Sequence, residues 1–178
     1  MDRSPAHLWF MRAGFVALAF VIMFFHLIPL DTVPRRWAPP DLLVAFAFAW
    51  ALRRPDYVPA LSIAGVMLMA DLMFQRPPGL MAMLVLLGAE YLKNRSAGLS
   101  EASFAGEWVA VNLALVGITV LNRVTLTVLA VDQAPLALSV IQMLATMAVY
   151  PIVVIITQTL MNVRKLAPGD SDALGGRA

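Results

Sequence analysis

The sequence predicts an all-α polytopic membrane protein with about six transmembrane helices, some of them short, and both termini in the cytoplasm. Three observations predict it. Of 178 residues 61% are hydrophobic and 13% charged, and mean hydropathy is +0.80, so a water-soluble fold of this size has too little polar surface to cover itself. The apolar residues gather into six runs: Leu8 to Leu30, Asp41 to Leu52, Pro59 to Phe74, Gly79 to Leu92, Trp108 to Val131 and Pro135 to Met161. The basic residues stand mostly in short connections between those runs, a distribution that serves membrane orientation and not nucleic-acid binding.

The first run follows Arg3 and Arg12 in the manner of a signal peptide, yet no small-residue cleavage site comes after it, so it is read as a retained span. Its Ala13 and Ala17 form a weak small-xxx-small packing signal. The connections DTVPRRWAPP, RRPDYVP and QRPPG are rich in proline, which removes a backbone donor and disfavours helix in the residue before it. The polar stretch KNRSAGLSEASFAGE is read as a further interruption. The first, fifth and sixth runs are long enough to cross a hydrocarbon core of roughly 30 Å. The second, at about 18 Å, needs snorkelling by Arg53 and Arg54, a locally thinner bilayer, or shelter among neighbouring helices. Five spans and a partly inserted helix are therefore the alternative. Residues 1–166 form one transmembrane domain, and residues 167–178 read as a disordered cytoplasmic tail.

Orientation follows from the basic residues. With six spans and a cytoplasmic N-terminus, the inside holds Arg3, Arg12, Arg53, Arg54, Lys93, Arg95, Arg164, Lys165 and Arg177, and the outside only Arg35, Arg36 and Arg76. That bias places both termini inside. Trp9, Trp37 and Trp108 fall near run boundaries, as an interfacial aromatic belt requires.

Few polar groups lie at membrane depth, and each needs a partner. Arg123 is the most expensive, at least about 2.5 kcal/mol even on a lenient insertion scale. Asn112, Thr119 and Arg123 share one stripe of the fifth helix, while Ser139, Thr146, Tyr150 and Thr157, with Gln142 at the edge, share one on the sixth. The two stripes are expected to pack polar face to polar face. Asp71 stands near the C-terminal end of the third helix, where the macrodipole disfavours an acid. An ion pair with Arg123 is expected to compensate it, with Arg76 as a more exposed competitor; a proton or substrate site is the functional alternative. Glu90 is expected to pair locally with Lys93, and His26 to sit at the outer interface as a satisfied polar group.

The motifs argue against catalysis. There is no cysteine, so disulfides, thiol catalysis and thiolate metal sites are excluded. Two histidines, His7 and His26, offer little metal chemistry. No phosphate loop, HExxH, GxSxG or paired intramembrane aspartates occur. A non-enzymatic protein without cofactor or metal, surrounded by membrane lipids, is the expectation.

One stretch carries a family likeness. From Pro39 to Leu92, about a third of the chain, it has Asp41 after prolines, Trp50 followed by Arg54 and Pro55, Asp71 ending the third helix, and Gly79 opening the fourth. In these features it resembles the rod shape-determining protein MreD family, in its alphaproteobacterial form. The fifth and sixth helices carry no motif of that family. The resemblance implies a multi-pass protein of the bacterial inner membrane. It would act beside MreC, the actin-like MreB, and the peptidoglycan polymerase RodA with its penicillin-binding transpeptidase, in the cell-elongation complex. It implies no reaction of its own, and a fold similar to the substrate-binding component of energy-coupling-factor vitamin transporters. On this view the third and fourth helices, joined by QRPPG, are the partner surface. That fold similarity also supplies a rival: a vitamin-like uptake component whose polar pocket would draw on Arg35, Arg36, Asp71, Arg76 and Arg123. No outer connection is long enough for a convincing lid over such a pocket.

Overall fold

The computed structural model describes residues 5–28, 37–101 and 103–160. Among them are six α-helices: α1 (Pro5–Leu27), α2 (Leu42–Arg53), α3 (Ala60–Met73), α4 (Leu80–Glu101), α5 (Phe104–Val128) and α6 (Leu136–Leu160), with a 3-10 turn at Pro55–Tyr57 between α2 and α3. The helices α1, α5 and α6 are long and apolar enough to cross a membrane, the same three the run lengths single out. The expected tail at residues 167–178, the end of the first run beyond Ile28, and Arg35 and Arg36 lie outside the described residues.

The short second helix is the axis of the bundle. Every residue from Leu43 to Arg53 is buried, with α1, α4, α6 and the 3-10 turn packed around it. Its sequence LLVAFAFAWALR explains how. Phe46, Phe48 and Trp50 supply bulk, while alanines at 45, 47, 49 and 51 let the surrounding helices come close. Of the ways a short helix can be accommodated, this one uses shelter among neighbours. Arg53 does not snorkel: it is 2% exposed.

The α4 helix differs from expectation. It runs on through KNRSAGLSE to Glu101, leaving only two residues before α5. That stretch contains no proline, and polarity alone does not break a helix whose backbone donors and acceptors stay in place. As a result α5 opens four residues before Trp108, and Glu107 falls in its first turn. Gly88 marks a close crossing of α4: a Cβ there would lie 3.0 Å from Phe48 Cζ and 3.1 Å from Ile118 Cδ1.

The bundle has an apolar core with a few buried polar groups, and its outer surface is apolar as well. Arg53, Asp71, Glu107, Thr146 and Thr157 are buried, whereas Phe24, Phe25, Leu61, Leu72, Leu87, Leu113, Val120, Leu144 and Ile152 are exposed. Soluble monomers seldom show apolar patches of this extent. The exposed set covers faces of α1, α3, α4, α5 and α6, as a helical bundle facing hydrocarbon requires.

Candidate functional site

Two polar clusters occupy the opposite ends of α2. At the Arg53 end, Arg53 Nε donates to Glu107 Oε1 at 3.1 Å and Nη2 donates to Oε2 at 3.0 Å. The Tyr150 hydroxyl donates to Oε1 at 2.9 Å. The fork of guanidinium on carboxylate satisfies both charges at once, and the tyrosine brings in α6. Three helices thus meet on one carboxylate. Next to it, Pro151 lies inside α6 and has no N–H for the carbonyl of Met147, four residues earlier. Trp108 fills the gap, its indole N–H donating to that carbonyl at 3.0 Å. The Trp108 ring therefore serves α6, beyond any role at an interface.

The 3-10 turn is tied to the same end. Pro55 is its first residue. The Arg12 side chain donates to the Asp56 carbonyl at 3.0 Å, Arg54 lies over the Tyr57 ring, and Trp50 packs between Phe15 and Tyr57. The local pair Glu90 and Lys93 forms as expected at 2.7 Å, and Lys93 also donates to the Val58 carbonyl. Three buried polar atoms have no hydrogen-bond partner among the described residues: Trp50 Nε1, Arg53 Nη1 and Asn112 Oδ1.

At the Asp41 end the polar groups are looser. Asp41 caps α2, its Oδ1 accepting from the Val44 amide at 3.2 Å, while its own amide donates to the Thr146 hydroxyl at 2.9 Å. Arg76 stands 3.8 Å from Asp41 Oδ2. The expected ion pair of Asp71 with Arg123 is replaced by other partners. Asp71 Oδ2 accepts from the amides of Gly79 and Ala82, each at 3.1 Å, so the N-terminus of α4 supplies the compensation that the end of α3 withholds. Gly79 has φ +86, a left-handed backbone suited to glycine. Arg123 donates to the Ser139 hydroxyl at 2.7 Å and to the Ala134 carbonyl at 3.2 Å. One carbonyl of the α5–α6 connection and one hydroxyl of α6 hold it in place.

The expected polar stripes meet only in part. Arg123 reaches Ser139 and Glu107 reaches Tyr150, but Thr119 donates back to the Leu115 carbonyl on its own helix. Thr146 and Thr157 likewise donate within α6. His26 lies against Phe74, ring centroids 4.4 Å apart. Between α5, α6 and the α3–α4 turn opens a chamber of about 290 Å³ bordered by Asp41, Arg76, Asn122, Arg123, Asp132 and Gln133. A smaller recess of about 90 Å³ reaches inward to Thr119 and Thr146. Among the described residues no group of three His, Asp or Glu side chains is placed to hold a metal ion.

Sequence reading missed the Arg53 and Glu107 pair, although a signal was present. In the six-span plan the second run ends and the fifth begins at the same membrane face, so opposite charges at those two ends are natural partners. Fold and clusters together define a helical bundle with an apolar core, a few buried and mutually bonded polar groups, and an apolar exterior. No family model, no curated protein and no solved structure matches the chain.

Proposed function

We propose that this chain is a multi-pass protein of the bacterial inner membrane, with the Arg53 end cytoplasmic and the Asp41 end outside, acting as a non-enzymatic scaffold in the cell-elongation complex. The observation that carries the proposal is where the residues of the family resemblance stand. Asp41 caps α2, Trp50 fills the core beside it, Arg54 and Pro55 open the 3-10 turn, Asp71 caps α4, and Gly79 turns the chain into it. The resemblance thus falls on the joints of one frame, α2 to α4, and not on scattered apolar positions. The buried ionisable groups Arg53, Asp71 and Glu107 are engaged in holding helices together, which suits a subunit that binds through its surface.

In this reading the exposed faces of α3 (Leu61, Leu68, Leu72) and α4 (Met83, Leu87) receive the membrane helix of MreC, with MreB, RodA and its transpeptidase engaged directly or through MreC. Depletion in the native cell is expected to round the rods, and purification to bring down MreC. Crosslinks from MreC are expected on α3 and α4. Normal rods with no cell-wall partner would overturn the assignment.

A second reading draws on the chamber at the Asp41 end. Its two arginines and amide side chains suit a small polar ligand, as in an energy-coupling-factor uptake component, a fold to which the resemblance is itself related. A small polar molecule retained through purification, together with a coupling ATPase among the copurified proteins, would favour it.

A further inference from the structure

We propose that the Arg53 end carries a binding site for one membrane phospholipid, whose phosphate or ester-carbonyl oxygen accepts a hydrogen bond from Arg53 Nη1. The proposal rests on the membrane reading above. It begins with an unmet donor. Arg53 spends Nε and Nη2 on Glu107, and Nη1 is buried with no acceptor among the described residues. Because the carboxylate already balances the guanidinium charge, what is missing is an acceptor oxygen and not a counter-ion. A buried donor left without an acceptor is a standing cost, and any molecule that brings an oxygen to it binds with that much advantage.

The second observation is a cavity of about 370 Å³ at this place, lined by the paired Arg53 and Glu107 together with Phe104, Pro151, Val154, Ile155 and Gln158. It combines a polar floor with an apolar wall. Phe104 and Ile155 are among the exposed large apolar side chains, so the cavity opens sideways onto the apolar exterior of the bundle. A molecule entering from that side has to be apolar over most of its length and carry oxygen acceptors near one end. A phospholipid in the surrounding leaflet meets both requirements, with Gln158 at the rim as a further hydrogen-bonding side chain. Pro151 lies in the wall that α6 gives the cavity, and the neighbouring Trp108 tie to the Met147 carbonyl joins that wall to α5, so the site is built beside the contacts that hold α5 to α6.

The test uses the full chain purified from its native membrane in mild detergent and examined by native mass spectrometry. Wild type is expected to retain one phospholipid per chain. Ile155→Trp fills the cavity from an exposed position and leaves Arg53, Glu107 and Tyr150 themselves unchanged. It is expected to lose the lipid while remaining folded, with the wild-type helical content. Arg53→Lys, which keeps the charge but removes the fork, is expected to lose it as well. Absence of retained lipid in wild type, equal retention in Ile155→Trp, or retention of a non-lipid molecule in its place would each overturn the proposal. Failure of the membrane reading would show separately, as folded protein recovered in buffer without detergent.

Discussion

Each end of α2 carries one arginine set against one carboxylate, and the two arrangements differ in nearly every physical respect. Arg53 and Glu107 meet at 3.0 Å with side chains 2% and 0% exposed. Arg76 and Asp41 stand 3.8 Å apart with side chains 31% and 17% exposed. The first pair is dry, bidentate and joined by a tyrosine; the second is long, partly wet and next to a polar chamber. Backbone geometry follows the same division. The left-handed residues Gln75, Gly79 and Ala130 all belong to the turns at the Asp41 end, where α3 and α5 close with the amides of Arg76 and Val131 donating back to Asp71 and Leu126. The lesson is that one bundle holds both a buried, bidentate joint and a more open polar mouth, and that burial, not charge, separates the two.

Breaking the dry pair is the most costly test of that contrast. Glu107→Leu leaves Arg53 charged and buried, and is expected to cost roughly 3–5 kcal/mol in SDS-titration unfolding of the purified protein. Adding Arg53→Met to it is expected to restore part of the loss, because the stranded charge disappears with its partner. A double variant as unstable as the two singles summed would show that the groups act independently.

Next in size is the cap at the other end. Asp71→Ala strands the amides of Gly79 and Ala82 at the start of α4 and is expected to cost roughly 1–2 kcal/mol. Arg123→Gln in that background is expected to add its own separate effect, since Arg123 bonds elsewhere; strong coupling between the two would revive the direct ion pair. Smallest is Arg76→Ala, expected to change stability by about 0–1 kcal/mol, and less in high salt. A loss near that of Glu107→Leu would abolish the distinction between the two ends.

How much of this was legible in the sequence depended on whether a partner was near in the chain or far. The three long helices, the Glu90 and Lys93 pair and the need to compensate Asp71 all follow from local spacing. The partner of Asp71 did not, because it is a pair of backbone amides at the start of α4, and a search among charged side chains passes over them. Glu107 was hidden by its setting: KNRSAGLSEASFAGE looks like a loop by polarity, yet most of it is helix, which carries the carboxylate into the bundle. Arg53 and Glu107 are 54 residues apart, so only the topology brings them together. The buried α2 was open in the sequence between shelter and snorkelling, and the alanines that decide for shelter act through neighbours the sequence does not place.

A bundle that crosses a membrane has its two ends in different compartments, and the absence of cysteine from the sequence makes this directly measurable. Asp132→Cys, at the Asp41 end, and Ser103→Cys, at the Arg53 end, can each be probed as the single thiol in the chain with a membrane-impermeant maleimide. In intact spheroplasts Asp132→Cys is expected to label and Ser103→Cys to label only after lysis. Labelling of both before lysis, or the reverse pattern, would contradict this placement of the two ends.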